Sequence, residues 1–141
     1  MAKKLEWRAW WQWRNGTDGA YAFADGQPKT LKAALAEIYK EMHGPHVSRA
    51  LAEGASLMVM ISPKCMGSGM PSANDGMPGS SLDAWWRFAN GSSDAAYSIL
   101  EEEPQDLQSF LKLAYTTLAD SQTQKWMHKD GVTLVLRIGE T

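Results

Sequence analysis

The residues of this sequence that could do chemistry begin with two histidines and the one cysteine. The segment HGPH places His43 and His46 three positions apart, and Cys65 follows in the segment SPKCMGSG. A zinc site needs three or four such ligands, and the third histidine, His128, lies far along the chain. Cys65 could act as a nucleophile beside a base, but the sequence has no recognisable base-and-orienter set. We therefore expect no metal site and no catalytic site.

Other motifs of catalysis and cofactor binding are absent from the sequence. It contains no Walker loop, no dinucleotide fingerprint, no Ser-His-Asp arrangement of known spacing and no paired-carboxylate signature. The glycines of the segment CMGSGM lack the lysine and the helix of a phosphate loop. We expect a protein that is not an enzyme and needs no cofactor, and its motifs point to no known family.

A second group of residues is suited to binding rather than to reaction. The segments RAWWQWR, at 8–14, and AWWR, at 84–87, combine tryptophan with arginine. Trp and Arg are enriched at binding hot spots, and Trp can also stack on bases. The candidate binding residues of these segments are Arg8, Trp10, Arg14, Trp85 and Arg87.

Methionines form a third group, in a segment without periodicity. Met66, Met70 and Met77 lie within residues 63–81, which are rich in Gly, Pro and Ser. Methionine side chains adapt to irregular partner surfaces, and a structureless segment of this length is usually functional or disordered. These three methionines are therefore added to the candidate binding residues.

An internal repeat indicates the elements that position these residues. AWWQWRNG at 9–16 aligns with AWWRFANG at 84–91, and one inserted residue then places Asp18 on Asp94. PKTLKAALAEIYKEM aligns with PQDLQSFLKLAYTTL, and EGASLMVMI aligns with DGVTLVLRI after a second slip. The sequence thus predicts a tandem duplication. The first repeat is 1–62, the second is 82–141, and 63–81 is a linker or loop within one compact domain.

Each repeat is expected to open with a β-hairpin. Alternation along the first strand divides the residues between two faces. Asn-Gly favours the turn, and the return strands are expected near 20–24 and 95–100. The core face carries Trp7, Ala9, Trp11 and Trp13, and the opposite face carries Glu6, Arg8, Trp10, Gln12 and Arg14. Taken alone, 82–90 also fits a capped helix that ends at Asn-Gly, but the first copy favours a strand.

Two helices and a strand complete each repeat. Thr30 and Asp106 stand at N-cap positions before segments with helical apolar spacing. Pro45 suits the start of a shorter helix, and Gly54 and Gly131 suit the ends of such helices. The second short helix is expected near 121–129, and the closing strands near 57–62 and 132–138.

The resulting unit is β-β-α-α-β, and two copies give an α+β fold. We expect about six mostly antiparallel strands and four helices with pseudo-twofold symmetry. The pattern leaves open whether the strands form one sheet or two.

The strand face opposite the core carries Trp10 and Trp85, and the closing strands add apolar residues to it. Trp11, Trp13, Trp86 and Phe88 are expected in the core. The outer face, which also carries Met58, Met60 and Val135, allows three alternatives. It packs against the other repeat or a second subunit, it binds a protein partner, or it stacks on nucleotides. Packing is favoured, because large apolar patches rarely stay exposed.

Composition limits the classes of function. The chain has 141 residues, of which 44% are hydrophobic, enough for a core without a disulfide or metal. The net charge of −2 weighs against sequence-general nucleic-acid binding. A single cysteine excludes an internal disulfide and fits a reducing cytoplasm. The N-terminus does not read as a signal peptide, and no apolar stretch approaches the ~18 residues of a membrane helix. We expect a soluble, cytoplasmic protein that has no contact with a membrane.

These observations predict a non-enzymatic protein-binding module of the inhibitor, immunity or adaptor type. It would act through the aromatic and arginine-bearing sheet face and the methionine-rich segment. The alternative is small-ligand or nucleotide binding at the seam between the repeats, lined by Arg8, Trp10, Trp85 and Arg87. The sequence leaves the identity of the partner open, and a homodimer is a further alternative.

Overall fold

The computed structural model describes residues 5–13, 18–20, 30–42, 44–62, 82–88, 92–96 and 106–139. These residues form β1 (Glu6–Trp13), β2 (Asp18–Ala20), α1 (Leu31–Glu41), α2 (Pro45–Ala52), β3 (Ala55–Ser62), β4 (Leu82–Arg87), β5 (Ser93–Ala95), α3 (Leu107–Ala119), α4 (Ser121–Asp130) and β6 (Thr133–Ile138). The expected α+β class is confirmed.

The described strands form one antiparallel sheet in the order β2-β1-β3-β6-β4-β5. Four strands of six to eight residues, β1, β3, β6 and β4, make up the body of this sheet. Strands β2 and β5 have three residues each and lie at the two edges. The segment that could also have been a helix, 82–90, therefore begins with a strand, as the first copy indicated.

The pairing at the centre of the sheet is symmetric. Val59 of β3 lies opposite Leu136 of β6. The pairs on either side mirror each other, because Leu57 lies opposite Ile138 and Ile61 lies opposite Leu134. The aligned segments EGASLMVMI and DGVTLVLRI place Val59 and Leu136 at the same position of the predicted repeat. The two halves therefore meet about an axis between these two residues, and the β3–β6 ladder is the seam between them.

The hairpins also share one register, and this corrects the sequence alignment. Trp10 lies opposite Ala20, and Trp85 lies opposite Ala95. The ladder thus makes Asp18 equivalent to Ser93 and not to Asp94, so the inserted residue was placed too early. The difference in length between the copies comes after β2 and β5.

Local chemistry explains where the helices begin and end. The Ala33 backbone N–H donates to Thr30 Oγ1 over 3.1 Å, and the Ser109 backbone N–H donates to Asp106 Oδ1 over 2.7 Å. Both predicted N-caps are confirmed, since each side chain satisfies a donor that the first helical turn leaves free. Helix α4 ends at Gly131, whose φ of 65° lies in the left-handed region that favours glycine.

The helices cover one face of the sheet, which we call the helix face. Buried side chains of α1, α3 and α4 join those of alternate strand residues in one core. Its largest fully buried side chains are Ile38, Leu57, Val59, Ile61, Phe110, Leu118, Met127, Val132, Leu134 and Leu136. Trp7 and Trp11 are partly buried against this core, as the alternation predicted. Trp126 of α4 meets Trp86 edge to face, with ring centroids 5.0 Å apart.

Candidate functional site

The sheet face opposite the helices, which we call the outer face, has a buried apolar centre. No helix residue of the described part of the chain belongs to this cluster. Its members, here named the central cluster, are Trp10, Met58, Met60, Trp85 and Val135. Trp10 and Trp85 are each only 3% exposed, less than the half-buried Trp11 and Trp86 that the sequence placed in the core. These residues are buried, but both halves belong to one sheet, so their outer faces do not pack on each other. Packing against a second subunit stays a prediction.

Two rows of residues cross the body of the sheet on the outer face and define the site. In the first row, Trp10, Met58, Arg137 and Asp83 lie opposite one another on β1, β3, β6 and β4. In the second row, Trp85, Val135, Met60 and Arg8 lie opposite one another on the same strands in reverse order. The central symmetry relates the two rows, so the tryptophans stand at opposite ends of the cluster.

The spacing of the strands sets the size of the cluster. Strands β1 and β4 are three strand spacings apart, which is about 14 Å. The tryptophans are also offset by two residues along the strands, or about 7 Å. The Cα atoms of Trp10 and Trp85 are therefore about 16 Å apart, with methionine and valine side chains between them.

The indole nitrogens of Trp10 and Trp85 are buried donors that find no acceptor in the described part of the chain. Nε1 of Trp10 and Nε1 of Trp85 have no hydrogen-bond partner among the described residues. Leaving a buried donor unpaired costs about 1–3 kcal/mol. Trp7 Nε1, on the helix face, is also buried without a partner. The two outer-face donors differ from it because they occupy equivalent positions in the same cluster.

One corner of the outer face carries a buried ion pair that the sequence analysis missed. Arg137 Nη2 lies 3.7 Å from Asp83 Oδ2, and the two residues are 9% and 3% exposed. Asp83 Oδ1 also accepts a hydrogen bond of 2.9 Å from the Ala84 backbone N–H. The segments LDAWWR and TLVLRI each have a charged residue inside a mostly apolar strand. Because charged residues are seldom buried unless paired, these two residues could have indicated an ion pair.

The other end of the site breaks the symmetry. By register, Arg8 occupies the position equivalent to Asp83, and Met60 the position equivalent to Arg137. Arg8 is exposed and forms no ion pair with any described residue. Among the described residues, the end beside Trp10 therefore carries a cation without a counter-charge, while the end beside Trp85 carries a neutralised pair.

The structure brings together only part of the predicted set. Arg8, Trp10, Trp85 and Arg87 lie on the outer face, and Arg87 is half-buried opposite Thr133. The other predicted binding residues, Arg14, Met66, Met70 and Met77, lie outside the described residues, as do His43, Cys65 and the side chain of His46.

The described residues contain no group of three or more His, Cys, Asp or Glu placed to hold a metal ion. The third histidine of the chain, His128, is part-buried on α4. Its Nδ1 lies 2.7 Å from the Gln124 carbonyl oxygen. That contact makes Nδ1 the donor, while Nε2 is buried without a partner among the described residues.

Comparisons with protein-family models, with curated proteins and with solved structures find no match to this chain. In the part of the chain that the structure describes, no helix is long and apolar enough to span a membrane.

Proposed function

We propose that this protein is a non-enzymatic binding protein whose ligand occupies the central cluster of the outer face. The observation that carries the proposal is the pair of buried indole donors at equivalent positions, Trp10 Nε1 and Trp85 Nε1. A molecule that brings acceptor atoms to these donors removes the cost of leaving them unpaired. The surrounding methionine and valine side chains supply apolar contact to the rest of that molecule.

The burial of the cluster favours a small ligand over a protein surface. Trp10 and Trp85 are enclosed, so a ligand that contacts them must be small enough to be enclosed with them. Small-molecule sites are mostly apolar, with a few polar groups that fix orientation. The cluster lies over the β3–β6 seam, which is the position of the small-ligand alternative in the sequence analysis.

A protein partner is the second candidate, and the margin of the outer face favours it. Arg8 is exposed and Arg87 is half-buried on this face, and arginine is a frequent hot-spot residue. An inhibitor, immunity or adaptor protein would use these arginines with Arg14 and with Met66, Met70 and Met77. The symmetric register also supports the proposal that both halves arose by tandem duplication.

The experiment compares three tryptophan-to-phenylalanine variants against a panel of small metabolites and nucleotides. Trp10→Phe and Trp85→Phe remove the outer-face donors but keep an aromatic ring. Trp7→Phe is the matched control, because it removes an unpaired buried donor from the helix face. Ligands are detected by the rise in thermal midpoint and quantified by calorimetry.

A panel member should stabilise the wild type and Trp7→Phe, and bind each outer-face variant more weakly. Loss of one hydrogen bond to a buried donor predicts about 5- to 150-fold weaker binding. Equal binding by all four proteins, or no binding by the wild type, would refute the small-ligand proposal. Capture of a protein from host lysate by the wild type and not by Arg8→Gln would then favour the second candidate.

A further inference from the structure

We infer that the ligand of the central cluster is an organic anion whose charged group lies against Arg8 at the Trp10 end. The inference rests on the proposed function and adds the chemical class and the orientation of the ligand. The class is an apolar or aromatic body that carries a carboxylate or phosphate group.

The first support is the exchange of residues between equivalent positions. At the Trp85 end, the protein supplies a carboxylate of its own, Asp83, against the buried Arg137. At the Trp10 end, the place of that carboxylate is taken by Arg8, and the place of the cation is taken by Met60. A ligand carboxylate or phosphate beside Arg8 therefore meets a cation that no described residue neutralises.

The second support is the set of donors at the Trp10 end. Trp10 Nε1 is a buried donor that no described residue pairs with, and the Arg8 guanidinium has donor groups and no acceptor group. Both lie on the outer face of β1, two residues apart. Oxygen atoms of an anion accept from such donors in charge-assisted hydrogen bonds, which are stronger than neutral ones.

The third support is the charge at the opposite end. At the Trp85 end the charges of Asp83 and Arg137 offset each other, and Arg87, two residues from Trp85 on the same face, already has an interaction within the chain. Glu6, on the same face as Arg8, lies two residues beyond it and away from Trp10. Among the described cations of the outer face, Arg8 is therefore the one without a partner, which places the anionic group at the Trp10 end.

The test uses three probes that share one ring: indole-3-acetate, 3-indoxyl phosphate and the neutral indole-3-acetamide. Calorimetry gives the dissociation constant of each for the wild type, Arg8→Gln, Arg8→Lys and Arg49→Gln. Arg49 is the control, because it is an exposed arginine of α2, in the helix layer. Circular dichroism verifies the fold of each variant.

The wild type and Arg49→Gln should bind the two anions about tenfold to hundredfold more tightly than the amide. Arg8→Gln should lose that preference, and Arg8→Lys should keep part of it, because lysine retains the charge without the guanidinium fork. The relative affinity of acetate and phosphate identifies which anion the site prefers.

Amide binding as tight as anion binding, together with weaker binding of all probes by Trp10→Phe, would overturn the anion inference and leave the proposed site standing. An anion preference that survives in Arg8→Gln would overturn the assignment to Arg8. Failure of all three probes to bind the wild type would also overturn the inference, and the metabolite panel decides the proposed function separately.

Discussion

Removing one partner of the Asp83–Arg137 pair is expected to destabilise the protein strongly, whereas replacing both partners is not. Both residues are at least nine-tenths buried, and the charged atoms are 3.7 Å apart. A buried charge that loses its counter-charge costs about 3–5 kcal/mol of unfolding free energy. The changes to compare are Asp83→Asn, Arg137→Met and the double variant.

The distance between the charged groups sets the magnitude. At 3.7 Å and an effective dielectric constant of ~20, the attraction between unit charges is about 4 kcal/mol. The separation exceeds the ~2.7–2.9 Å of a charge-assisted hydrogen bond, so each single change should fall at the lower end, about 3 kcal/mol. Asparagine keeps an oxygen that can accept from the Ala84 N–H, so Asp83→Asn reports mainly on the charge.

The first half of the chain explains why the double variant should recover. Met60 occupies the position equivalent to Arg137 and is buried there, so a methionine fits this backbone environment. With both charges removed, neither member of the pair remains as a buried ion without its counter-charge. The double variant should therefore cost at least ~2 kcal/mol less than the sum of the single variants.

Equilibrium unfolding in urea, followed by tryptophan fluorescence, measures these free energies. Asp94→Asn is the matched control, because Asp94 is an exposed acid on the neighbouring strand β5, and its change should stay within about 0.5 kcal/mol. Single variants that cost less than ~1 kcal/mol each, or a double variant equal to their sum, would contradict the coupling inferred from the buried pair.

Two further predictions concern local geometry. Gly19→Ala should cost about 1–3 kcal/mol of unfolding free energy, because a Cβ there would lie 2.8 Å from Trp13 Cζ3. In a Trp13→Leu background the urea-measured cost should fall, and an unchanged cost would contradict this explanation. The backbone N–H and side chain of Ser109 hold the pKa of Asp106 below its ordinary value. The ionised cap therefore stabilises the fold at pH values above the unfolded pKa, and this stabilisation is lost as the pH falls through the folded pKa. Asp106→Asn keeps the acceptor but cannot ionise, so its thermal midpoint should fall less below about pH 4, and parallel pH profiles for both proteins would oppose the assignment.

Local features of the sequence predicted most of the helix and strand assignments. Thr30 and Asp106 cap helices because each side chain reaches a backbone N–H only three residues ahead. The period of two in the first strand placed Trp7 and Trp10 on opposite faces, and the sheet keeps that division. These predictions hold because they depend on backbone geometry within one element.

Features that depend on neighbouring strands were harder to predict. Asp83 and Arg137 meet only because β4 and β6 are adjacent in the sheet, and neither segment by itself determines the strand order. The match of Asp18 to Asp94 relied on residue identity, but the ladder aligns Asp18 with Ser93. Residue matches give register only when hydrogen bonding between strands agrees with them.

The symmetric register also shows where the fold leaves residue choice open. Arg8 and Asp83 occupy equivalent strand positions, and Met60 and Arg137 occupy the equivalent positions opposite them. Equivalent backbone environments should favour similar side chains. Symmetry alone therefore does not account for the opposite charges of Arg8 and Asp83, or for methionine at 60 and arginine at 137. The ligand proposed for the central cluster, with one charged end and one apolar end, would account for both, because it would require the two ends of the cluster to differ.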